Sequence, residues 1–416
     1  MIIFKDIKPK DYDVPLEEHT FWINKRSYYG STYVYDKESP AFKMLDYGEN
    51  FLRIFRQYYK IVYGIKLPKV KLFAIDNSSI NAFAVYEKSL NSYCIGVFIG
   101  ACEALYNNVH LSFEKLVGTL IPANKKDSWL FLIYIFAIRF FVAHEYSHIL
   151  AGHVSTDNES FVFEMIDSDQ INADNLISQM KEFQVDQMAA QDLCYMEHWH
   201  FTNRINIACA IERENFIKHF KTVFDAEQLE KLAKENEIRY RNRFNAPFYS
   251  RILESLKMIM AGINTVFYTF DSNRSRILAE FAERNNIPEV ERESFFFRSG
   301  LQTIREFDHP LPAIRIDAIV RIVDECIDAF APEGEADYWS EQVSDYSWEV
   351  EIVRNNYNLG NLYRHIAYTP TAQDFIQEMQ ALWEKNRDIF PAIVKPLVRL
   401  FYVNRLVHMT DDGVLI

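Results

Sequence analysis

Phe140-Phe141-Val142-Ala143-His144-Glu145-Tyr146-Ser147-His148-Ile149-Leu150-Ala151-Gly152-His153 is the stretch on which the reading of this chain turns. Apolar residues run into it from Trp129 to Ala143, the pattern of a helix buried on nearly all sides. On such a helix His144 and His148 stand four residues apart, so both imidazoles leave one face about one turn apart. Two neutral ring nitrogens at that spacing can meet one tetrahedral zinc. Glu145 projects beside them, where a carboxylate can take a proton from water held by the metal.

A catalytic site of this kind needs a third ligand. His153 is five positions beyond His148, about 140° round a continuing helix, so it cannot share the face of the other two. It also misses the metzincin spacing, which asks for Gly three and His six residues after the second histidine, and no catalytic role is assigned to it. The better candidate lies in Lys181-Glu182-Phe183-Gln184-Val185-Asp186-Gln187-Met188-Ala189-Ala190. This stretch reads as a second helix with Glu182 and Asp186 on one face. Glu182 would complete a His, His, Glu set with an open fourth position. Asp186, one turn on, would accept the outer N–H of a ligating histidine and fix its tautomer. Ala189 and Ala190 let the two helices approach closely.

The 416 residues suffice for one large domain or two ordinary ones. Hydrophobic residues make up 49% and aromatics 15%, against only 12 Gly and 13 Pro, which favours a helix-dominated globular fold over a fibrous or disordered chain. A net charge of −13 argues against a nucleic-acid partner. The five cysteines are scattered without a CxxC spacing, which fits a reducing compartment. The N-terminus carries no signal-peptide pattern, and the run from Trp129 to Ala143 is short for a bilayer and contains Arg139. It reads as core, and the expectation is a cytoplasmic protein without an integral membrane segment.

Upstream, residues 41 to 63 show an apolar stripe at helical spacing. Lys69 to Asp76, Asn81 to Tyr86 and Ser92 to Ile99 read as strands, with Glu87 to Asn91 as a hairpin connection and a helix starting at Gly100. The expected fold is therefore α+β and mostly helical, with a zincin-like core whose small antiparallel sheet precedes the metal helix. In that arrangement Asn81, Ala82, Phe83 and Ala84 form an edge strand able to pair with an extended peptide. The expected divisions are an N-terminal helical segment over 1–68, the core over 69–330 with a helical insertion at about 205–260, and a C-terminal helical extension over 331–416.

These pieces together resemble the zinc metallopeptidase family that includes the heat-shock protease HtpX and the Ste-type CaaX prenyl protease. Asn81-Ala82-Phe83-Ala84 with Gly100-Ala101-Cys102-Glu103-Ala104-Leu105 is similar to the family's NAFA…GLLEAL hairpin. His144 to His153 is similar to its HExxHxxxxH, and Glu182 to Asp186 to its ExxAD, with Val185 in place of the usual Ala. Asp308-His309-Pro310-Leu311-Pro312-Ala313-Ile314-Arg315-Ile316 resembles the HP…RI segment that follows. The resemblance implies one zinc per chain on His144, His148 and Glu182, with Glu145 as general base. It also implies His309 and Arg315 above the metal, stabilising an oxyanion or holding the substrate backbone. It covers about 69 to 330 and departs from family members such as HtpX in having no evident membrane span.

The function expected is peptide-bond hydrolysis on a protein or peptide substrate. One form of it is a cytoplasmic protease of the phage-exclusion kind, triggered to cut one host protein. The alternative is a catalytically silent, zinc-stabilised adaptor, against which the intact Glu145 argues. Two additions offer surfaces for an activating or docking partner. Glu212 to Arg243 is densely charged with both signs and periodic, reading as a protruding helical hairpin. Asp324 to Glu351 carries ten acids and no Lys or Arg. For both, an ordinary solvated face is the plainer reading. The His198-Trp199-His200 pair diverges on a helix and makes no second metal site.

Overall fold

The computed structural model describes residues 31–32, 39–87, 91–112, 120–154, 162–163, 175–288 and 312–354, with a few positions from 374 to 385. His309 lies outside them, as does most of the C-terminal extension.

Helix α1, Pro40–Val62, starts where the Ser39 side chain accepts a hydrogen bond from the Phe42 N–H at 3.1 Å, with Pro40 in the first turn. It buries Met44, Phe51, Phe55, Tyr58 and Tyr59. Three full strands follow: β2, Val70–Asp76; β3, Ala82–Glu87; and β4, Ser92–Phe98. Two-residue strands flank them, β1 at Ser31–Thr32 and β5 at Val162–Phe163, giving the order β1-β2-β4-β3-β5. The sheet is mixed, which corrects the expected antiparallel one. β4 runs antiparallel to β3 but parallel to β2, with Val70 opposite Tyr93 and Ile75 opposite Phe98. Both β3 and β4 are apolar and buried on both faces, Ala84 and Val85 as fully as Cys94 and Ile95, and the observed order covers both edges of each: β4 lies between β2 and β3, and β5 covers the outer edge of β3. Phe83 lies opposite Gly96, where a Cβ would stand 2.3 Å from its ring, so the glycine makes room for the aromatic.

Helix α2, Ile99–Asn107, leads through a π-helical turn at Asn108–Ser112 towards α3, Lys126–Leu150. From Ile133 to Leu150 every residue of α3 is buried. It is the one described helix long and apolar enough to cross a membrane, and it is instead mostly covered by the rest of the protein. Helix α4, Asn175–Phe220, and α5, Ala226–Arg284, pack against it and against each other. Beyond α3 they continue as the hairpin the charge pattern suggests, turning at 221–225. Helix α6, Pro312–Phe330, packs on α4, and α7, Ala336–Arg354, on α5. One hydrophobic cluster runs from Ala41 in α1 through the sheet and α3 to Val350 in α7. The described parts of the N-terminal segment and of the C-terminal extension thus share the core of the central region.

Candidate metal centre

Three helices bring the site together. α3 supplies His144, Glu145 and His148, α4 supplies Glu182 and Asp186, and α6 supplies Arg315, all of them buried. The Nε2 atoms of His144 and His148 face each other at 3.3 Å. The Glu182 carboxylate spans the pair, Oε2 at 3.2 Å from His144 Nε2 and Oε1 at 3.3 Å from His148 Nε2. These side chains form a group able to hold a metal ion.

The outer nitrogens decide what the inner ones carry. His144 Nδ1 lies 2.9 Å from Asp186 Oδ1, so it donates N–H to the carboxylate and leaves Nε2 as a lone pair. His148 reaches the same state by another route. Gln184 turns its amide nitrogen towards the Met188 sulfur and its oxygen towards His153 Nε2, at 2.9 Å. His153 therefore donates from Nε2 and accepts at Nδ1, which sits 3.1 Å from His148 Nδ1. His148 must then donate from Nδ1, and its Nε2 is also a lone pair. Burial holds His153 well below the usual imidazole range, in keeping with a neutral ring.

Two lone pairs and a carboxylate thus converge within hydrogen-bond distance, an arrangement that a bound cation would stabilise. The geometry agrees. A tetrahedral ion with bonds of about 2.0–2.1 Å separates its ligands by about 3.3–3.4 Å; the two Nε2 atoms stand 3.3 Å apart, and the Glu182 carboxylate turns one oxygen towards each of them. Three buried carboxylates, Glu145, Glu182 and Asp186, stand in this region beside one buried guanidinium, Arg315. That excess of negative charge suits a divalent ion.

Arg315 reaches the site through the carboxylates. It grips Asp186 with two bonds, Nε to Oδ2 at 2.6 Å and Nη2 to Oδ1 at 2.8 Å. Nη2 also stands 3.5 Å from Glu182 Oε2, and the guanidinium lies over the Phe267 ring at 4.6 Å. Among the described residues its visible contacts are those of a clamp on the acids that hold the histidine.

His153 is the residue that sequence reasoning set aside. The 140° argument took the helix as continuing, but α3 ends at Leu150. Gly152 adopts φ 77°, a left-handed conformation that glycine takes without strain. The His153 N–H then bonds back to the His148 carbonyl at 2.9 Å, and the Gly152 N–H to that of Ile149 at 3.2 Å. This Schellman closure folds the His153 ring onto the outer edge of His148. Glycine directly after the helix was the signal available in the sequence.

Ala82, Phe83 and Ala84 lie in β3, fully or almost fully buried, while Asn81 precedes the strand. The outer side of β3 is not bare. β5 pairs antiparallel with it, Phe83 opposite Phe163 and Ala84 opposite Val162. The expected edge strand is therefore covered at those two residues by the segment that joins α3 to α4. His198 stacks on Phe330 with ring centroids 4.3 Å apart, a packing role. The five cysteines are free and buried.

Compared with protein-family models, with curated proteins and with solved structures, the chain finds no match in any of the three.

Proposed function

We propose that this protein is a zinc-dependent endopeptidase. The observation that carries the reading is the convergence of His144 Nε2, His148 Nε2 and a Glu182 carboxylate at 3.2–3.3 Å, on the helix that also bears buried Glu145. A zinc ion held there would polarise the scissile carbonyl and lower the pKa of the attacking water, to about 7 in favourable sites. Glu145 takes the water's proton and delivers it to the leaving amine. Asp186 and His153 keep both inner nitrogens free of protons, and Arg315 holds Asp186 in place. The similarity of these motifs, in their order, to the HtpX and Ste-type peptidases supports the same reading. In that resemblance His309 stands by the developing oxyanion.

The pairing of β5 with β3 favours a latent form of this enzyme. An extended peptide that adds to the outer edge of β3 must first displace Val162 and Phe163. A cytoplasmic protease released by a trigger would use that step, and five reduced buried thiols suit such a compartment.

The test is metal content by elemental analysis together with cleavage of a mixed peptide library. Wild type should hold about one zinc per chain. Glu182→Ala should lose it, while Glu145→Gln should keep it and lose turnover by about 10²-fold or more. Replacing Val162 and Phe163 by glycine should raise cleavage several-fold. Zinc retained with no cleavage, even in the glycine variant, would leave the silent adaptor as the function. No zinc in the wild type would end the metallopeptidase reading.

A further inference from the structure

Between α4 and α5, where the hairpin leaves the core, lies a cavity of about 420 Å³. Phe201, Ile205, Tyr240 and Phe248 are among its walls, and Arg204, Arg243 and Arg251 line it as well. It is a different place from the metal centre. Arg204 lies about 33 Å beyond Glu182 along the same helix at 1.5 Å per residue.

The charge arrangement is the unusual feature. The hairpin's other arginines are matched: Arg213 pairs with Glu230, Arg239 with Glu235 and Arg241 with Glu237. The three at the cavity form no ion pair with a described carboxylate. Arg204 and Arg251 are close enough to repel each other, and only Glu197, itself bonded to Arg139, offsets Arg204. In a chain of net charge −13, three arginines without acid partners stand around this cavity, Arg204 half-buried and Arg243 and Arg251 exposed, where their side chains can turn to a bound anion.

We propose that this cavity binds a small planar aromatic molecule carrying a phosphate, of the class of the nucleoside monophosphates. Guanidinium forks match phosphate oxygens bidentately, and aromatic walls accept a flat ring by stacking. The volume falls within the range of small-molecule sites, about 300–1,000 Å³. A nucleic-acid strand is disfavoured, because a polyanion meets a chain of net charge −13. The inference does not depend on the peptidase reading.

Titration calorimetry on the full chain tests it, with AMP and UMP as probes and adenosine, inorganic phosphate and a short single-stranded RNA as controls. The nucleotides should bind, and more weakly as salt rises. Adenosine and phosphate should each bind at least tenfold more weakly than AMP. Arg204→Ala and Arg251→Ala should each weaken AMP binding by about ten- to a hundredfold, with unchanged circular dichroism. Arg251→Lys, which keeps the charge and loses the fork, should fall between. No heat with either nucleotide up to millimolar concentration would overturn the proposal. So would phosphate binding as tightly as AMP, RNA binding more tightly than AMP, or AMP binding indifferent to both alanine variants.

Discussion

The Nδ1 atoms of His148 and His153 lie 3.1 Å apart, and the hydrogen bond between them runs from His148 to His153 because Gln184 occupies the other nitrogen of His153. A histidine thus does for His148 what Asp186 does for His144. Being neutral, it fixes a tautomer without adding charge to the site. Removing it should loosen metal binding rather than abolish it. His153→Ala should cut zinc affinity by about 10- to 100-fold, measured by competition with a chromophoric chelator. His153→Asn and Gln184→Leu should fall in the same direction, since each breaks the chain of donors. Unchanged affinity in all three would show that His148 needs no outer partner.

Asp186 and Arg315 form the other support, with both bonds inside the protein. Arg315→Met would leave the Asp186 charge buried with only His144 to bond it. Breaking a buried pair from one side costs about 3–5 kcal/mol, so urea midpoints should fall accordingly. Asp186→Asn in the Arg315→Met background should recover part of that loss, because the unpaired charge goes with it. Measured in the metal-free protein, this separates the fold's dependence on the pair from the metal's. Equal stability of Arg315→Met and wild type would mean the clamp is not formed.

Much of this site is legible in the sequence, and the limits have physical causes. His144, Glu145 and His148 share a spacing fixed by the helix, and Glu182 with Asp186 repeat it, so the geometry inside each helix follows from the residue numbers. That the two helices meet depends on packing, which Ala189 and Ala190, both fully buried, only hint at. The supporting contact of His153 with His148 was hidden because a single glycine changed the direction of the chain. The sheet's order was hidden for a different reason. Short connections between β2, β3 and β4 suggest a meander, whereas β4 pairs between β2 and β3, and the residue types do not distinguish the two orders because β3 and β4 are alike apolar and buried. The role of β5 is long-range pairing of two residues, for which the local sequence carries no signal.

Gly262 in α5 sits where that helix passes close to α3. A Cβ there would stand 2.7 Å from the Ala137 nitrogen and 2.9 Å from the Phe136 carbonyl carbon, both backbone atoms. Neither can rotate away, so the helices must separate. Gly262→Ala should destabilise by about 1–3 kcal/mol in denaturant titration, despite alanine's better helix propensity. A stabilised variant would show that α3 and α5 are not packed this closely.

Asp192 gives the fold a pH dependence independent of the metal. Its carboxyl is buried, accepting the Tyr59 hydroxyl at 2.6 Å, and so ties α4 to α1. Burial raises its pKa from 3.8 to about 7, the Tyr59 bond opposing only part of the shift. In the unfolded chain the group ionises near 3.8, in the folded protein near 7. Below about pH 4 both states hold the proton and the site costs nothing extra. Between there and pH 7 only the folded state holds it, so stability falls as pH rises, and above pH 7 the penalty is constant. At 1.36 kcal/mol per unit its ceiling is about 4 kcal/mol. Asp192→Asn keeps an oxygen for Tyr59 and removes the titration. The variant should therefore gain on wild type as pH climbs from 4 to 7, and hold that advantage at pH 8. Wild type proving the more stable at pH 8 would mean that the ionised Asp192 is better partnered in the fold than Tyr59 alone makes it.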